Sequence, residues 1–294
     1  MRKFNSASAF SLIELSVVIL IIGILVAGVT QASRLVSQMR LTTARTITQS
    51  APVPSMKNLV AWYETTSEKS ILEAESEDGF TVSNWADTNP TAITKLDMPQ
   101  ATAGRRPTYS KDCINGLPAI KFNGVDQYFE KAYTADLNPA NFTIFAVTKI
   151  LAVPSYGAIL SSRSATGGPA GYIVYADPGA PNFEMWLGNG VNWGATNTAI
   201  PLTTNKTYVT SYTFNGSTVT TYSAGASIGS ITENSFRVNG DRNTRIGAGS
   251  NESAATFFLN GHIGEIIIFD RALKNEERNS IEKYLGQKWG VKIS

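Results

Sequence analysis

Residues 207–222 read T-Y-V-T-S-Y-T-F-N-G-S-T-V-T-T-Y, and this stretch decides the fold class. Two runs rich in β-branched and aromatic residues flank Asn215-Gly216, a dipeptide that supplies the positive φ angles of a type I′ hairpin turn. Because successive strand residues point to opposite faces, Tyr208, Tyr212 and Phe214 should share one face. The stretch therefore predicts a β-hairpin with an aromatic inner face.

Strand-like runs of the same kind follow one another from residue 57 onward, separated by Gly, Pro, Asn and Asp. This texture is typical of an all-β sandwich or jelly roll. The run at residues 264–269 ends in I-I-I-F and is apolar enough for a central strand. The other clear candidates are residues 119–122, 143–148, 172–175 and 183–187.

The chain ends in a short amphipathic pattern that predicts a helix over residues 276–288. Asn275 is the expected N-cap, and Gly290 is expected to end the helix. Four residues recur at helical spacing and should pack against the sandwich as core: Ile281, Tyr284, Leu285 and Trp289.

Several segments of this half resemble the laminin G-like, concanavalin A-like lectin and glucanase fold in its bacterial surface-protein form. They are residues 114–124 (I-N-G-L-P-A-I-K-F-N-G), 142–147 (F-T-I-F-A-V), 261–273 and 284–290. The resemblance covers most of residues 57–294 and implies a mainly β, jelly-roll sandwich. It does not select a function, because this fold serves lectins, hydrolases and protein-interaction modules.

Enzyme chemistry finds little support among the acidic residues. Retaining glucanases need two carboxylates facing one cleft, whereas the acidic run at residues 73–78 ends in a turn and indicates a solvated loop. Glu265 and Asp270 lie five positions apart on one predicted strand, so they point to opposite faces. Cys113 and His262, the single residues of their types, are interpreted as packing residues. We therefore expect no enzyme activity.

A ligand surface is expected in the Gly- and Asn-rich region at residues 167–197. Trp186, Trp193 and Tyr172 are the candidate aromatic platform for a glycan, with a core position as the alternative for each. No cofactor or metal is predicted. Ca²⁺ stays an alternative without sequence support, because its candidate ligands Asp126, Asp241 and Asn243 are too few for a site that needs six to eight oxygens.

Nucleic acid is not an expected partner. The whole of the small basic excess of the chain comes from residues before 57, and acidic residues slightly outnumber basic ones after it. Arg105-Arg106 and the D-R-N-T-R stretch at residues 241–245 are too small to neutralise a phosphate backbone. They are interpreted as solvated loops.

The N-terminal segment combines a basic leader with an apolar helix. Arg2 and Lys3 precede an apolar run, and residues 10–29 have the length to cross the roughly 30 Å hydrocarbon core of a bilayer. The positive-inside rule then keeps the leader cytoplasmic. Glu14 lies inside this run, where a carboxylate costs roughly 2.5 to 3.5 kcal/mol unless it is compensated. A secretory signal cut near residues 30–32 and a plain uncleaved anchor are the alternatives, and neither explains Glu14.

Residues 9–15, A-F-S-L-I-E-L, with the basic leader before them resemble the type IV pilin class. The resemblance implies cleavage by prepilin peptidase between Ala9 and Phe10, followed by N-methylation of Phe10. It also implies that Glu14 pairs with the Phe10 amine of a neighbouring subunit, so that the buried charge sets the register of assembly.

The predicted organisation is a prepilin leader at 1–9, a hydrophobic helix at 10–50 that spans the membrane at about 10–29, a linker at 51–56 and the sandwich at 57–294. The expected protein is a minor or tip subunit of a type IV filament in the bacterial inner membrane. It would be single-pass, with the sandwich first in the periplasm and then on a pilus or the cell surface. Expected partners are prepilin peptidase, other pilin or pseudopilin subunits, and a glycan or a host or surface protein. The alternatives are a type II secretion pseudopilin and a monomeric membrane-anchored lectin.

Overall fold

The computed structural model describes residues 12–179, 182–195, 200–251 and 254–294. The chain divides into two compact units, residues 1–43 and 44–294. Helix α1 (Leu12–Gln49) makes up the described part of the first unit and supplies the beginning of the second. The side chains from residue 12 to 29 are all exposed, and among the described residues this helix is the one with the length and apolar character to cross a membrane. It can therefore serve as a membrane anchor or as a signal sequence.

The described residues of the second unit form a mainly β structure that ends in helix α2 (Asn275–Trp289). Its strands, in chain order, are β1 (Leu59–Glu64), β2 (Asn84–Trp85), β3 (Met98–Pro99), β4 (Thr108–Ile114), β5 (Leu117–Asn123), β6 (Phe129–Lys131), β7 (Phe142–Ala152), β8 (Gly157–Ser164), β9 (Ala170–Asp177), β10 (Asn182–Gly188), β11 (Trp193–Ala195), β12 (Ile200–Pro201), β13 (Thr207–Phe214), β14 (Thr218–Ser223), β15 (Ala226–Thr232), β16 (Thr244–Ile246), β17 (Gly249–Asn251), β18 (Ala254–Thr256) and β19 (Asn260–Phe269).

Most of these strands belong to two sheets. The large sheet runs in the order β15-β14-β13-β7-β19-β5-β4, and β1 pairs with the second half of β19. The second sheet runs β11-β10-β9-β8-β16-β6, and β12 pairs with β10. The central place of β19 and the sandwich of two sheets confirm the predicted fold class.

The main core lies between the two sheets. Large aromatic and branched side chains fill it, and the fully buried ones include Phe122, Phe142, Tyr172, Phe183 and Tyr212. Polar atoms of this core are in part engaged: the Tyr63 hydroxyl donates to the Leu96 carbonyl at 2.6 Å, whereas the Tyr212 hydroxyl has no hydrogen-bond partner among the described residues. Interior hydrogen bonds of this kind avoid the cost of an unpaired buried polar group.

A second apolar cluster covers the outer face of the large sheet. Helix α2 packs there with Ile281, Leu285 and Trp289, and Ala44 and Val53 join it. The four residues predicted as the buried face of the C-terminal helix are buried, as expected. The last turns of α1 thus belong to the packing of this unit.

The two ends of α2 differ in how well the sequence predicted them. Gly290 ends the helix in a left-handed conformation with φ 71°, as expected. Asn275 is not the N-cap, because the helix starts one residue earlier and Lys274 takes the cap position. The Glu277 carboxylate reaches back and accepts the Lys274 N–H at 2.9 Å, so the acidic third residue stabilises the start of the helix.

The hairpin of β13 and β14 is present, but its turn is not type I′. Phe214 pairs with Val219, which leaves a loop of residues 215–218 between the strands. The Asn215 Oδ1 atom accepts the backbone N–H of Ser217 and Thr218 at 3.0 and 2.8 Å. Because the side chain of Asn215 organises the loop and only Gly216 takes a positive φ, the tight two-residue turn does not form.

A buried ionic network links the first strand to the last helix. The Lys288 ammonium donates to Glu64 Oε2 at 3.0 Å and lies 2.9 Å from Glu265 Oε2. Burial opposes the charged form of Glu64, yet Lys288 and the hydroxyls of Ser70 and Thr66 outweigh it and lower the pKa of Glu64 to about 2. The network therefore holds the Glu64 carboxylate in its ionised form inside the protein at neutral pH.

Candidate functional site

The outer face of the second sheet carries a cluster of aromatic side chains, most of which are partly exposed. Alternation along β9 and β10 turns Val174 and Met185 into the core and places Tyr175 and Trp186 on the opposite face. Five residues form this surface, which we call the aromatic face: Tyr156, Tyr175, Trp186, Trp193 and Phe257. Tyr175 is buried beneath the others, and the remaining four are half-buried.

Four rings of the aromatic face, those of Tyr156, Tyr175, Trp186 and Phe257, contact one another, and most of these contacts are edge to face. Tyr175 is perpendicular to both Trp186 and Phe257, with ring centres 6.0 and 5.6 Å apart. Tyr156 lies 5.8 Å from Phe257 and 6.4 Å from Trp186, again nearly perpendicular. Such edge-to-face pairs stabilise one another by about 0.5–1.5 kcal/mol beyond burial, so the cluster is a firm surface.

Arg163 lies within the aromatic face as its cation. The guanidinium carbon stands 4.5 Å from the ring centre of Trp193 and 5.8 Å from that of Phe257. Nη1 donates to the Tyr175 hydroxyl at 3.1 Å. Strands β9 and β10 lie between Arg163 on β8 and Trp193 on β11. Arg163 pairs with Gly171 and Trp193 pairs with Gly188, and neither glycine has a side chain that would separate the guanidinium from the indole.

The phenol groups respond to these surroundings. Burial raises the pKa of Tyr175 to about 12, and the nearby Arg163 charge opposes the rise. The Asp177 charge, more than burial, raises the pKa of Tyr156. Both phenols are therefore neutral hydrogen-bonding groups at physiological pH.

Carboxylates flank the aromatic face, and each has a partner. Glu184 Oε2 accepts the Trp186 Nε1–H at 2.9 Å. Farther across the same face, Arg245 forms an ion pair with Glu130. The arrangement offers flat apolar rings with hydrogen-bonding groups at the edges, which suits reversible binding of a ligand that has both an apolar face and hydroxyls.

The sequence-predicted platform residues separate between the two faces of the second sheet. Trp186 and Trp193 lie in the aromatic face. Tyr172 does not, because it has the opposite parity on β9 and is only 1% exposed in the core. Its hydroxyl donates to the Leu137 carbonyl at 3.0 Å, so we remove it from the candidate site.

Sequence reasoning missed Tyr156, Arg163, Tyr175 and Phe257. Strict alternation along residues 172–175 could have indicated Tyr175, because assigning Val174 to the core sends its neighbour outward. Phe257 follows the β17–β18 hairpin and comes from a distant part of the chain. No local pattern marks such a residue.

The N-terminal candidates have a separate place. Ala9 and Phe10, the predicted processing site, lie outside the described residues. Glu14 lies in the first turn of α1.

The candidates for other chemistry are occupied by structural contacts. Glu265 is fully buried and accepts hydrogen bonds from Trp62, Tyr284 and Trp289, whereas the acidic run at residues 73–78 lies at the surface. The Cys113 thiol donates to the Ser110 carbonyl at 3.1 Å, and burial raises its pKa. Over the described ranges no group of three His, Cys, Asp or Glu side chains is placed to hold a metal ion.

Comparison with solved structures shows the same architecture. A sialidase of Trypanosoma rangeli in complex with sialic acid is similar at 16% identity and a TM-score of 0.53, over 81% of this chain and 34% of the sialidase. Domain 4 of AbnA, a GH43 extracellular arabinanase of Geobacillus stearothermophilus, in complex with arabinotriose, is similar at 14% identity and a TM-score of 0.52, over 77% of this chain and 98% of that domain. The chain thus spans about a third of the sialidase, and at these identities the likeness shows the fold alone.

No curated protein matches the chain. A family described as the concanavalin A-like lectin/glucanases superfamily matches residues 123–277. This region holds strands of both sheets, including β7 and β19, and all of the aromatic face. Because the match spans just over half of the chain, the protein belongs to the concanavalin A-like lectin/glucanases superfamily.

Proposed function

We propose that this protein is a membrane-anchored glycan-binding protein that acts as a pilin-like subunit of a type IV filament. The aromatic face is the observation that carries the binding half of this proposal. The apolar helix with Glu14 in its first turn supports the filament half.

The chemistry of the aromatic face suits a sugar. Pyranose and furanose rings present C–H faces that pack on indole and phenol rings, while their hydroxyls need donors and acceptors at the edges. The half-buried rings of Trp186 and Trp193 supply the packing surface, and Glu184 and Tyr156 supply hydrogen-bonding groups at its edge. The two similar solved structures were obtained with sialic acid and arabinotriose, which is consistent with this ligand class.

Binding without turnover is the better description of this face. Glu184 is hydrogen-bonded to Trp186, and Glu130 is held by Arg245. A hydrolase would need two carboxyl groups converging on one glycosidic bond, one of them available as an acid. The family match, to a superfamily that includes lectins, agrees with a binding domain.

Binding can be tested on a glycan array with the full chain solubilised in detergent. Trp186→Ala is expected to weaken binding of the recognised glycan about fivefold or more, because truncating a stacked aromatic anchor costs more than about 1 kcal/mol. Phe80→Ala is the matched control, since Phe80 is 53% exposed and lies outside the aromatic face. Unchanged binding by the Trp186 variant would remove the aromatic face from this role.

The filament role rests on the processing site at Ala9 and Phe10. Mass spectrometry of the N-terminal peptide of protein taken from its native membrane tests it. A start at an N-methylated Phe10 is expected for a filament subunit. An intact Met1 would instead favour the monomeric anchored lectin, and a start near residue 33 a secreted domain. A processed N-terminus in cells that have a secretion system but no pilus would favour the pseudopilin alternative.

A further inference from the structure

Arg163 is a cation held among aromatic rings, and the described residues supply no acidic partner for it. Among the described residues no carboxylate oxygen lies within 4.0 Å of its guanidinium nitrogens, whereas most other half-buried or buried arginines of this unit, such as Arg245 and Arg278, each have one. Its Nε atom is buried and has no hydrogen-bond partner in the described part of the chain. Within the described part of the chain, its side chain donates to a neutral group, the Tyr175 hydroxyl.

This arrangement is unfavourable for the protein alone. Packing against Trp193 and Phe257 takes water away from the guanidinium, and cation–π attraction replaces only part of that hydration. A buried charge is normally paired or fully hydrogen-bonded. The guanidinium is planar and offers its N–H groups as a fork that fits a carboxylate with two parallel hydrogen bonds.

Among the residues that the structure describes, the nearby carboxylates do not pair with Arg163. Glu184 accepts from Trp186, and Asp177, whose charge acts on Tyr156, accepts the Gly179 N–H at 2.7 Å. Both belong to the strand ends near Tyr156, where β9 finishes and β10 begins, whereas Arg163 pairs with Gly171 at the start of β9. The face therefore has an acidic end beside Tyr156 and a cationic end beside Trp193.

We propose that the aromatic face takes an acidic glycan, one that bears a carboxylate on a hexuronic acid unit, and that Arg163 binds this carboxylate. The sugar ring lies on the indoles of Trp193 and Trp186. Neutral hydroxyls of the following unit point to the acidic end, where Glu184 and Asp177 accept hydrogen bonds. This inference rests on the proposed function, since it assigns a ligand class to the same site.

The test compares a glycan with its own methyl ester. Trigalacturonate and its trimethyl ester have the same rings and hydroxyls, but the ester has neither the charge nor the fork of acceptors. Full-length protein in detergent is titrated with each by isothermal calorimetry. The acid is expected to bind at least about tenfold more tightly, because hydrogen bonds to charged groups are worth about 1.5–3 kcal/mol.

Variants then assign the preference to Arg163. In Arg163→Gln the acid and the ester are expected to bind equally, and Arg163→Lys should recover only part of the preference, because a lysine has no fork. Arg105→Gln is the matched control, since Arg105 also donates to a tyrosine hydroxyl, that of Tyr128, at 3.1 Å but lies outside the aromatic face. Thermal unfolding of each variant identifies any change that is due to misfolding.

The outcomes separate this inference from the proposed function. Equal binding of acid and ester by the natural protein would overturn the acidic-glycan inference and leave glycan binding intact. A preference for the acid that survives in Arg163→Gln would overturn the role of Arg163. If acid, ester and a neutral glycan array all fail to bind, the proposed function falls, and this inference falls with it.

Discussion

At the scale of single residues, Lys288 is the cation on which the buried ionic network depends. Its ammonium is enclosed with two carboxylates, Glu64 and Glu265, and all three side chains are 0% exposed. Burial opposes the charge of Lys288, but the two carboxylates outweigh it and raise the pKa of Lys288. Removing the lysine would leave two buried negative charges without their cation.

Lys288→Met is therefore expected to lower the free energy of unfolding by about 3–5 kcal/mol, because breaking a buried pair leaves an uncompensated charge. Urea denaturation followed by tryptophan fluorescence measures the change. Lys283→Met is the control, since Lys283 lies on the same helix but is exposed. A loss no larger than that of the control would mean that the network carries little of the stability.

His262 is the single histidine of the chain, so its pKa can be measured without overlap from another imidazole. Burial and the charges of Lys149 and Lys121 lower the pKa of His262 from 6.5 to about 4. The unfolded chain binds a proton at His262 more readily than the folded protein does. The contribution of His262 to the free energy of unfolding is therefore complete above pH 6.5 and declines as the pH falls towards 4. The imidazole resonance in a proton NMR titration should move near pH 4, and a midpoint at 6.5 or above would contradict this packing. In His262→Asn the slope of stability against pH between 4 and 6.5 should become flatter.

At the scale of the elements, strand β19 and helix α2 are tightly packed where Gly264 meets Trp289. Gly264 lies at the irregularity of β19, and a Cβ atom there would stand 2.6 Å from the Trp289 ring. Gly264→Ala is expected to push α2 off the large sheet and to cost about 1–3 kcal/mol of stability, as overpacked cores do. Gly104→Ala is the control because its Cβ would meet nothing within 4 Å. Chemical denaturation followed by total tryptophan emission distinguishes the two variants, and equal stabilities would show that α2 adjusts freely.

The elements also show where the sequence was informative. Strands β5, β7, β9, β10 and β19 could be predicted because β-branched and aromatic residues repeat in them with turn residues between. The predicted turn of the β13–β14 hairpin was wrong because the Asn215 side chain bonds to the loop backbone. The predicted N-cap of α2 was wrong because Glu277 organises the helix start from inside the first turn. Boundaries depend on single hydrogen bonds that residue preferences do not specify.

The candidate site was predictable only in part, for a related reason. Trp186 and Trp193 lie near each other in sequence, among turn residues, and could be proposed from that alone. Tyr172 was misplaced because periodicity gives two faces but does not say which one is the core. Arg163 and Phe257 enter the site from other strands and loops, so only the folded sheet brings them together.

At the scale of the whole molecule, the proposed function gives the apolar helix two roles, membrane anchoring and filament assembly. A substitution of Glu14 can distinguish these two roles. If Glu14 pairs with a neighbouring Phe10 amine, Glu14→Ala removes a pair worth about 3–5 kcal/mol and should abolish filaments while the protein remains in the membrane. Sheared-filament yield and membrane-fraction level are measured side by side. Ser16→Ala is the control, because the Ser16 hydroxyl bonds only within the helix, to the Ile13 carbonyl. Normal filament yield from Glu14→Ala would contradict the pairing.

The pairing of β1 with β19 has a mechanical consequence. β1 is the first strand after the helical segment, and it pairs along β19 from Leu59 opposite Phe269 to Glu64 opposite Glu265, with one irregularity between Leu59 and Ala61. Pulling lengthwise on the beginning of β1 would load these backbone hydrogen bonds together, and at its far end the Glu64–Lys288 ion pair would resist as well. A domain tethered through this strand should therefore yield under force at one abrupt step rather than by gradual peeling.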